Sequence, residues 1–270
     1  MSDIVLSASV RSNLLQLQQT SDLIASTQNK LATGRRVNSA LDNPINYFTA
    51  QNLSTRANDL NSLLDTMSTG INTIQAANNG LTSITKMVQS AQSLVSQAQQ
   101  SSDPTTRASL AAQFDAIRTQ ITQLASDSGI NGINLLNSNN LTITLNESGT
   151  STVTINGVDD SAAGLAITAS TNSWASASDL TAAGADLTAA LVTLRSQAQA
   201  LSSNLQTVQV RQNFTKAMIN TLNTGADSLT LADSNEEGAN LLALQTRQQL
   251  STTALSLASQ ADQNVLRLFK

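Results

Sequence analysis

Residues 53–81 read LSTRANDLNSLLDTMSTGINTIQAANNGL. Leu53, Ala57, Leu60, Leu64, Met67, Ile71, Ile74, Asn78 and Leu81 fall at alternating steps of four and three, the spacing that lines every member along one stripe of a helix. One step of three to Ile84 breaks the phase, and Val88, Ala91, Val95 and Ala98 then resume it. A helix over 45–98 would be roughly 80 Å long at 1.5 Å per residue, far beyond an ordinary globular helix. A sustained repeat of this kind implies left-handed coiled-coil packing, with a local slip near Asn79–Gly80. Glycine there costs up to about 1 kcal/mol relative to alanine. It reads either as a compliant point in the helix or as a tolerated, turn-prone pair.

The stripe needs partners, and the chain supplies them on both sides. Before it, Val10, Leu14, Leu17, Ile24 and Leu31 recur on the same period, with Ser21 and Gln28 filling two seam positions and Gly34 stopping the helix. After it, one helix carries Leu110, Phe114, Ile117, Ile121 and Leu124, and a longer one carries Leu187 through Leu229 on the heptad line, diluted by Gln212 and Thr215. Both prolines start helices: Asn43 precedes Pro44 and Asp103 precedes Pro104, an N-cap followed by proline at the first helical position. The stretch GRRVNSALD (34–42) reads as irregular connector. The last helix is announced by Ser234 and Glu237 as a capping box and runs to the end. Its apolar arc includes Leu250, Ala254, Leu255, Leu257, Ala258, Ala261, Val265, Leu268 and Phe269.

Between the helices, LTITL (141–145) and STVTI (151–155) alternate with a period of two around the turn sequence NESG, which predicts a β-hairpin. One more short strand is expected at LAIT (165–168). The expected fold is therefore mainly α, an elongated antiparallel coiled-coil or helical bundle with the terminal helices paired. A small hairpin would stand at the far end of the rod, in residues 140–180.

Composition narrows the function. The chain of 270 residues has no cysteine and no histidine, which removes disulfides, thiolate chemistry and imidazole ligands or bases. No spacing of carboxylates suggests a catalytic, cofactor or metal site. A net charge of -4 argues against nucleic acid. The N-terminus lacks the pattern of a cleaved secretory leader, and no apolar run reaches membrane-spanning length. Lys and Arg are missing between Arg118 and Arg195, where Asp127, Glu147, Asp159, Asp160, Asp179 and Asp186 occur. That acidic stretch reads as a solvated, repulsive surface or as plain loop polarity.

The terminal arcs carry the functional reading. Isolated helices are marginal in water, and each uncovered leucine forgoes about 1.5–3 kcal/mol of burial. The C-terminal arc is wider than one seam. Copies of the same chain are the expected cover for Val10, Leu14, Leu17, Ile24, Leu31, Leu250, Leu255, Leu257, Val265, Leu268 and Phe269.

Three motifs in order resemble one family. Gly34, Arg36, Val37, Asn38, Ser39, Ala40 and Asp42 in the connector, INGINLL (130–136) and QNVLRLF (263–269) are similar to the corresponding segments of bacterial flagellins. The likeness covers roughly residues 1–136 and 185–270. The resemblance implies a subunit of the flagellar filament, outside the cell, exported through the flagellar type III apparatus without cleavage. It implies residues 1–34 with 234–270 as the inner-tube domain and 35–43 with 230–233 as connectors, among them Gly34, Arg35, Arg36, Asn38, Asp42 and Pro44. It further implies 44–139 with 180–229 as the bundle and 140–179 as its hairpin and loop surface. The partners it implies are a homopolymer, other flagellins, hook-associated junction and cap proteins and an export chaperone, with no cofactor, nucleic acid or membrane. Ser83, Thr85 and Lys86 stand where many flagellins carry arginines used by an innate immune receptor, so strong receptor activation is not expected. Ser148, Thr150, Ser170, Thr171 and Ser173 are candidate O-glycan acceptors by composition. A hook–filament junction protein and a secreted coiled-coil tip or adhesin module are the competing readings. The short 140–180 segment favours flagellin over the first, and the connector and ending favour it over the second.

Overall fold

The computed structural model describes residues 8–268. Five α-helices occur among them: α1 (Ala8–Thr33), α2 (Pro44–Gln100), α3 (Pro104–Asp127), α4 (Ala177–Thr230) and α5 (Ser234–Leu268). Strands β1 (Leu141–Thr144) and β2 (Thr152–Ile155) pair antiparallel, with Leu141 opposite Ile155 and Thr144 opposite Thr152. The chain divides into two compact units, Met1–Thr55 with Thr221–Lys270 and Arg56–Asn220.

In the larger unit, the apolar stripes of α2, α3 and α4 bury one another. Met67, Ile74, Ala77, Leu81, Ile84, Val88, Ala91 and Val95 of α2 share a core with Ala111, Phe114 and Ile121 of α3 and Leu180, Leu187, Leu194, Leu201 and Val208 of α4. The helix starts follow local chemistry. Asp103 accepts hydrogen bonds from the N–H groups of Thr105 and Thr106, and Asn43 Oδ1 accepts from the Asn46 N–H at 3.0 Å. Both proline caps are as the sequence predicts.

Two details of the α2 stripe differ from the reading above. The buried line runs through Met67, Gly70, Ile74, Ala77, Leu81, Ile84 and Val88, so Ala77 rather than Asn78 faces the core and the three-four alternation passes Asn79–Gly80 without a slip. Gly80 also has a packing reason to be glycine. A Cβ there would lie 2.7 Å from Ser128 Cβ and 2.8 Å from Leu136 Cδ1. The pair is therefore a close-approach point for the chain leaving α3.

The hairpin is where the alternation placed it, with Leu141, Ile143 and Leu145 buried on one face and Ile155 beside them. It does not cap the end of a rod. The segment after α3 runs along the flank of α2. Leu136 reaches Gly80, Ile143 seats on Gly70, and Glu147 in the hairpin turn forms an ion pair with Arg56. By the rise of a helix, Arg56 and Gly80 are roughly 36 Å apart. The chain then returns along α3. Ala162 N–H donates to Thr122, Arg118 Nε donates to the Ile167 carbonyl, and Ser170 donates to Asp115. Trp174, fully buried, ends this path against Phe114, with ring centroids 5.1 Å apart. The expected strand at 165–168 does not form: Ala166 has φ 54, which takes the backbone out of extended geometry.

The acidic stretch is divided between bonded, buried and exposed side chains. Asp179 accepts from the Ser176 hydroxyl and N–H at the start of α4, Asp186 accepts from Thr168, and Asp160 is completely buried. Asp127, Glu147 and Asp159 are exposed, so the solvated-surface reading fails only for Asp160.

Candidate functional site

In the smaller unit, α1 packs antiparallel on α5, with Lys30 near the end of α1 donating to Glu237 near the start of α5 at 3.2 Å. Buried and half-buried positions trace one line on each helix. On α1 the line is Val10, Asn13, Leu17, Thr20, Ile24, Thr27 and Leu31; on α5 it is Glu237, Leu241, Leu244, Gln248, Ser251, Leu255 and Ala258. Both lines alternate by three and four, the coiled-coil spacing. The α1 seam thus passes through Thr20 and Thr27. Ser21 and Gln28 are exposed, and so is Leu14, which stands one position off the line. A sequence reading could not separate these neighbours, because threonine, serine and glutamine carry no hydropathic contrast.

Six of these fourteen seam positions are polar, and several leucines of the two helices stand outside the seam. Leu15 is 58% exposed, Leu23 52%, Leu242 67%, Leu250 67% and Leu257 62%. Leu250 and Leu257 are one heptad apart and so lie along one line of α5. Of the residues assigned above to packing between copies, the structure divides the set. Val10, Leu17, Ile24, Leu31 and Leu255 lie on the α1–α5 seam, whereas Leu14, Leu250 and Leu257 are open. Val265 and Leu268 belong to α5 but their side chains lie outside the described residues, as does Phe269 entirely.

The connector is more ordered than an irregular loop. After Gly34, the N–H groups of Arg36 and Val37 both donate to the Thr230 carbonyl, Ala232 N–H donates to the Gly34 carbonyl, and Arg35 pairs with Leu231 as an antiparallel bridge. Arg36 Nη2 reaches the Leu229 carbonyl at 3.5 Å. Asp42 folds the other half. Its carboxylate accepts from the N–H groups of Ser39 and Asn38 and from the Ser39 hydroxyl, and those bonds hold it below the ordinary carboxylate range. The Asn38 side chain donates to the Arg35 carbonyl, and Pro44 opens α2. The expected capping box at 234–237 is replaced. Asp233 accepts from the N–H groups of Asn235 and Glu236, which frees Glu237 to meet Lys30.

The profile described as bacterial flagellin N-terminal helical region matches residues 5–141. The chain belongs to the bacterial flagellin family. Flagellin FljM of Caulobacter vibrioides is 28% identical over 260 residues, covering 95% of this chain and 94% of that one. A flagellin of Brucella melitensis is 27% identical and covers both chains in full. The crystal structure of Bacillus cereus flagellin matches with a TM-score of 0.48 and 18% identity, over 57% of this chain and 88% of that one. This flagellin is a structural subunit of the flagellar filament, and its family is a structural one. Among the described residues there is no grouping of three acidic side chains able to hold a metal ion and no helix long and apolar enough to cross a membrane.

The candidate glycan acceptors fall in different settings. Ser148 and Thr150 are exposed in the hairpin turn, where Asn146 Nδ2 donates to both hydroxyls. Thr171 is exposed but donates to Asp179, Ser170 donates to Asp115 at 2.6 Å, and Ser173 is exposed with φ 49. The sequence reading missed Asn134. It is buried, donates from Nδ2 to the carbonyls of Ala125 and Ser126 at the end of α3, and accepts from the Leu136 N–H. It ties the helix end to the segment that becomes the hairpin.

Proposed function

We propose that residues 1–34 with 234–270 are the part of this flagellin that binds other copies, and that the open leucines of α1 and α5 are the contacts. The observation that carries this reading is the set Leu15, Leu23, Leu242, Leu250 and Leu257, each more than half exposed beside a seam that threonine, glutamine and serine dilute. Leaving such a side chain half in water forgoes roughly 1 kcal/mol or more, so a neighbouring copy that covers several supplies a driving force that grows with each added subunit. Val10, Leu17, Ile24, Leu31 and Leu255 act one step earlier, by pairing α1 with α5. The connector, held by Thr230 and Asp42, joins this module to residues 44–139 and 180–229, which carry the hairpin region 140–179 on their flank. The role is structural rather than catalytic.

Substituting Leu257 by Asp tests the assignment. Leu257 is 62% exposed, so the isolated subunit should keep its helix content while electron microscopy of concentrated protein shows filaments lost. Filaments of normal length and number from Leu257→Asp would remove the proposal.

Family membership also supports export through the flagellar type III apparatus with the N-terminus kept, and contact with junction, cap and chaperone proteins. N-terminal sequencing of subunits from filaments, together with capture of those proteins, checks both. For O-linked sugar, exposure favours Ser148 and Thr150 over Ser170. Mass spectrometry of the peptide spanning the hairpin turn decides it.

A further inference from the structure

Asparagine followed by glycine carries its own chemistry. The glycine backbone nitrogen can attack the asparagine side-chain carbonyl, and a residue with no side chain hinders that approach least. The chain holds three such pairs, Asn79–Gly80, Asn131–Gly132 and Asn156–Gly157. Two of them share the same tripeptide, Ile130-Asn131-Gly132 and Ile155-Asn156-Gly157. Local sequence cannot rank those two, so the fold decides which reacts.

The fold restrains two of the pairs. Asn79–Gly80 lies inside α2, where the Gly80 N–H is committed to the helix ladder, and Gly80 is buried against Ser128 and Leu136. Reaction there requires the longest helix to unwind inside the packed core. At Asn156–Gly157, the glycine N–H donates to Asn140 Oδ1 at 3.0 Å, and a Cβ on Gly157 would run into the Asn139 carbonyl oxygen. That nitrogen is neither free nor able to turn.

Asn131–Gly132 differs on each count. Both residues are exposed, and nothing lies within 4 Å of a Cβ placed on Gly132. Among the described residues, neither the Gly132 N–H nor the Asn131 side-chain amide makes a hydrogen bond. The pair forms the tip of a tight turn, with Asn131 at φ 51 and Gly132 at φ 81, closed by two bonds of 2.9 Å between Ile130 and Ile133. Opening so local a bridge takes a small part of the global unfolding free energy.

We propose that Asn131 is a self-modification site, which the folded protein converts to aspartate and isoaspartate without an enzyme. The Gly132 nitrogen gives up its proton to solvent and bonds to Asn131 Cγ. The Cγ–Nδ2 bond breaks, and Nδ2 takes a proton and leaves as ammonia. The product is a cyclic imide, which water opens at either carbonyl. Cleavage between Gly132 N and Cγ restores the ordinary backbone as aspartate. Cleavage between Gly132 N and the Asn131 main-chain carbonyl carbon leaves the chain running through Cβ and Cγ, as isoaspartate. Water enters, ammonia leaves, and nothing is oxidised or reduced. Each event adds a negative charge, and isoaspartate also lengthens the backbone by a methylene. Both changes fall three residues before Asn134, whose bonds to Ala125 and Ser126 tie the end of α3 to the segment that becomes the hairpin.

The test is mass spectrometry of the folded, full-length monomer incubated in mildly alkaline buffer and sampled over time. No Lys or Arg occurs between Arg118 and Arg195, so one tryptic peptide carries both Asn131 and Asn156. Electron-transfer fragmentation assigns the position and separates isoaspartate from aspartate. Asn131 should be lost at least about tenfold faster than Asn156 or Asn79, the ratio that a difference of about 1.4 kcal/mol in local opening produces. In strong urea the two Ile-Asn-Gly sites should react at the same rate. Asn131→Gln, whose longer side chain closes the ring poorly, should abolish the fast release of ammonia. Asn131 reacting no faster than Asn156 in the folded protein, an unchanged ranking of the two in urea, or aspartate at position 131 without isoaspartate would each overturn the proposal.

Discussion

Replacing Gly80 by alanine separates two physical accounts of the longest helix by the sign of the effect. If Gly80 were a loose point with open space around it, alanine would stabilise α2 by up to about 1 kcal/mol through helix propensity. The structure instead leaves no room. The new methyl would stand 2.7 Å from Ser128 Cβ and 2.8 Å from Leu136 Cδ1, well inside contact. Neither neighbour is the loose end of a flexible chain. Ser128 ends α3 and its hydroxyl donates to the Leu124 carbonyl at 2.6 Å, while Leu136 is completely buried. Forcing a methylene into such packing costs about 1–3 kcal/mol. Set against a propensity gain of up to about 1 kcal/mol, the expected net effect is a loss of up to about 2 kcal/mol. In a protein of this size that corresponds to a fall in melting temperature of up to roughly 8 °C, read by far-ultraviolet circular dichroism on the monomer. Gly238, in α5, meets no heavy atom within 4 Å of the equivalent position, so Gly238→Ala serves as the control and should leave the melting temperature unchanged or slightly higher. A Gly80→Ala protein that melts at or above the wild-type temperature would refute the steric reasoning and restore the compliant-helix account.

Removing residues 1–35 and 235–270 should leave a folded fragment that keeps the emission of Trp174, the chain's single tryptophan, and forms no filaments; tubes from that fragment would contradict the assignment of assembly to the terminal helices. Trp174→Ala should cost about 3–5 kcal/mol by emptying the site against Phe114, measured by denaturant unfolding, and a loss under about 1 kcal/mol would show that the return path along α3 is loosely held. Asp103→Ala should lower the melting temperature at neutral pH. The Thr106 hydroxyl, followed by the N–H groups of Thr106 and Thr105, holds the Asp103 carboxyl below its ordinary value. That contribution is present above about pH 4 and is lost as pH falls through the lowered value. The gap between variant and wild type should close in strong acid, and a gap of equal size there would count against the cap.

What depends on neighbours a few residues away was legible in the chain alone. The caps at Asn43 and Asp103 act within three residues, the hairpin follows from a period of two around a turn, and the long helices follow from heptads whose members carry strong hydropathic contrast. The family was legible too, in the connector, INGINLL and the ending. The exposure of Leu250 and Leu257 was expected in kind from an arc wider than one seam.

Tertiary contacts decided the rest. Whether Thr20 or Ser21, and Thr27 or Gln28, faces the partner helix turns on which neighbour the helix meets, since a rotation of one position exchanges side chains of similar polarity. The same holds for Asp233 displacing Ser234 as the cap once Glu237 is drawn to Lys30. Residues 140–180 were read as the far end of a rod because the polarity around the hairpin resembles that of any loop. Their placement on the flank of α2 and α3 comes from Gly70 and Gly80 admitting Ile143 and Leu136, and from bonds to Arg56, Arg118 and Asp115, tens of residues distant in the chain. Asp160 is the extreme case: a carboxylate beside another carboxylate reads as surface, and only the fold around it, by excluding water, turns it into a buried acid.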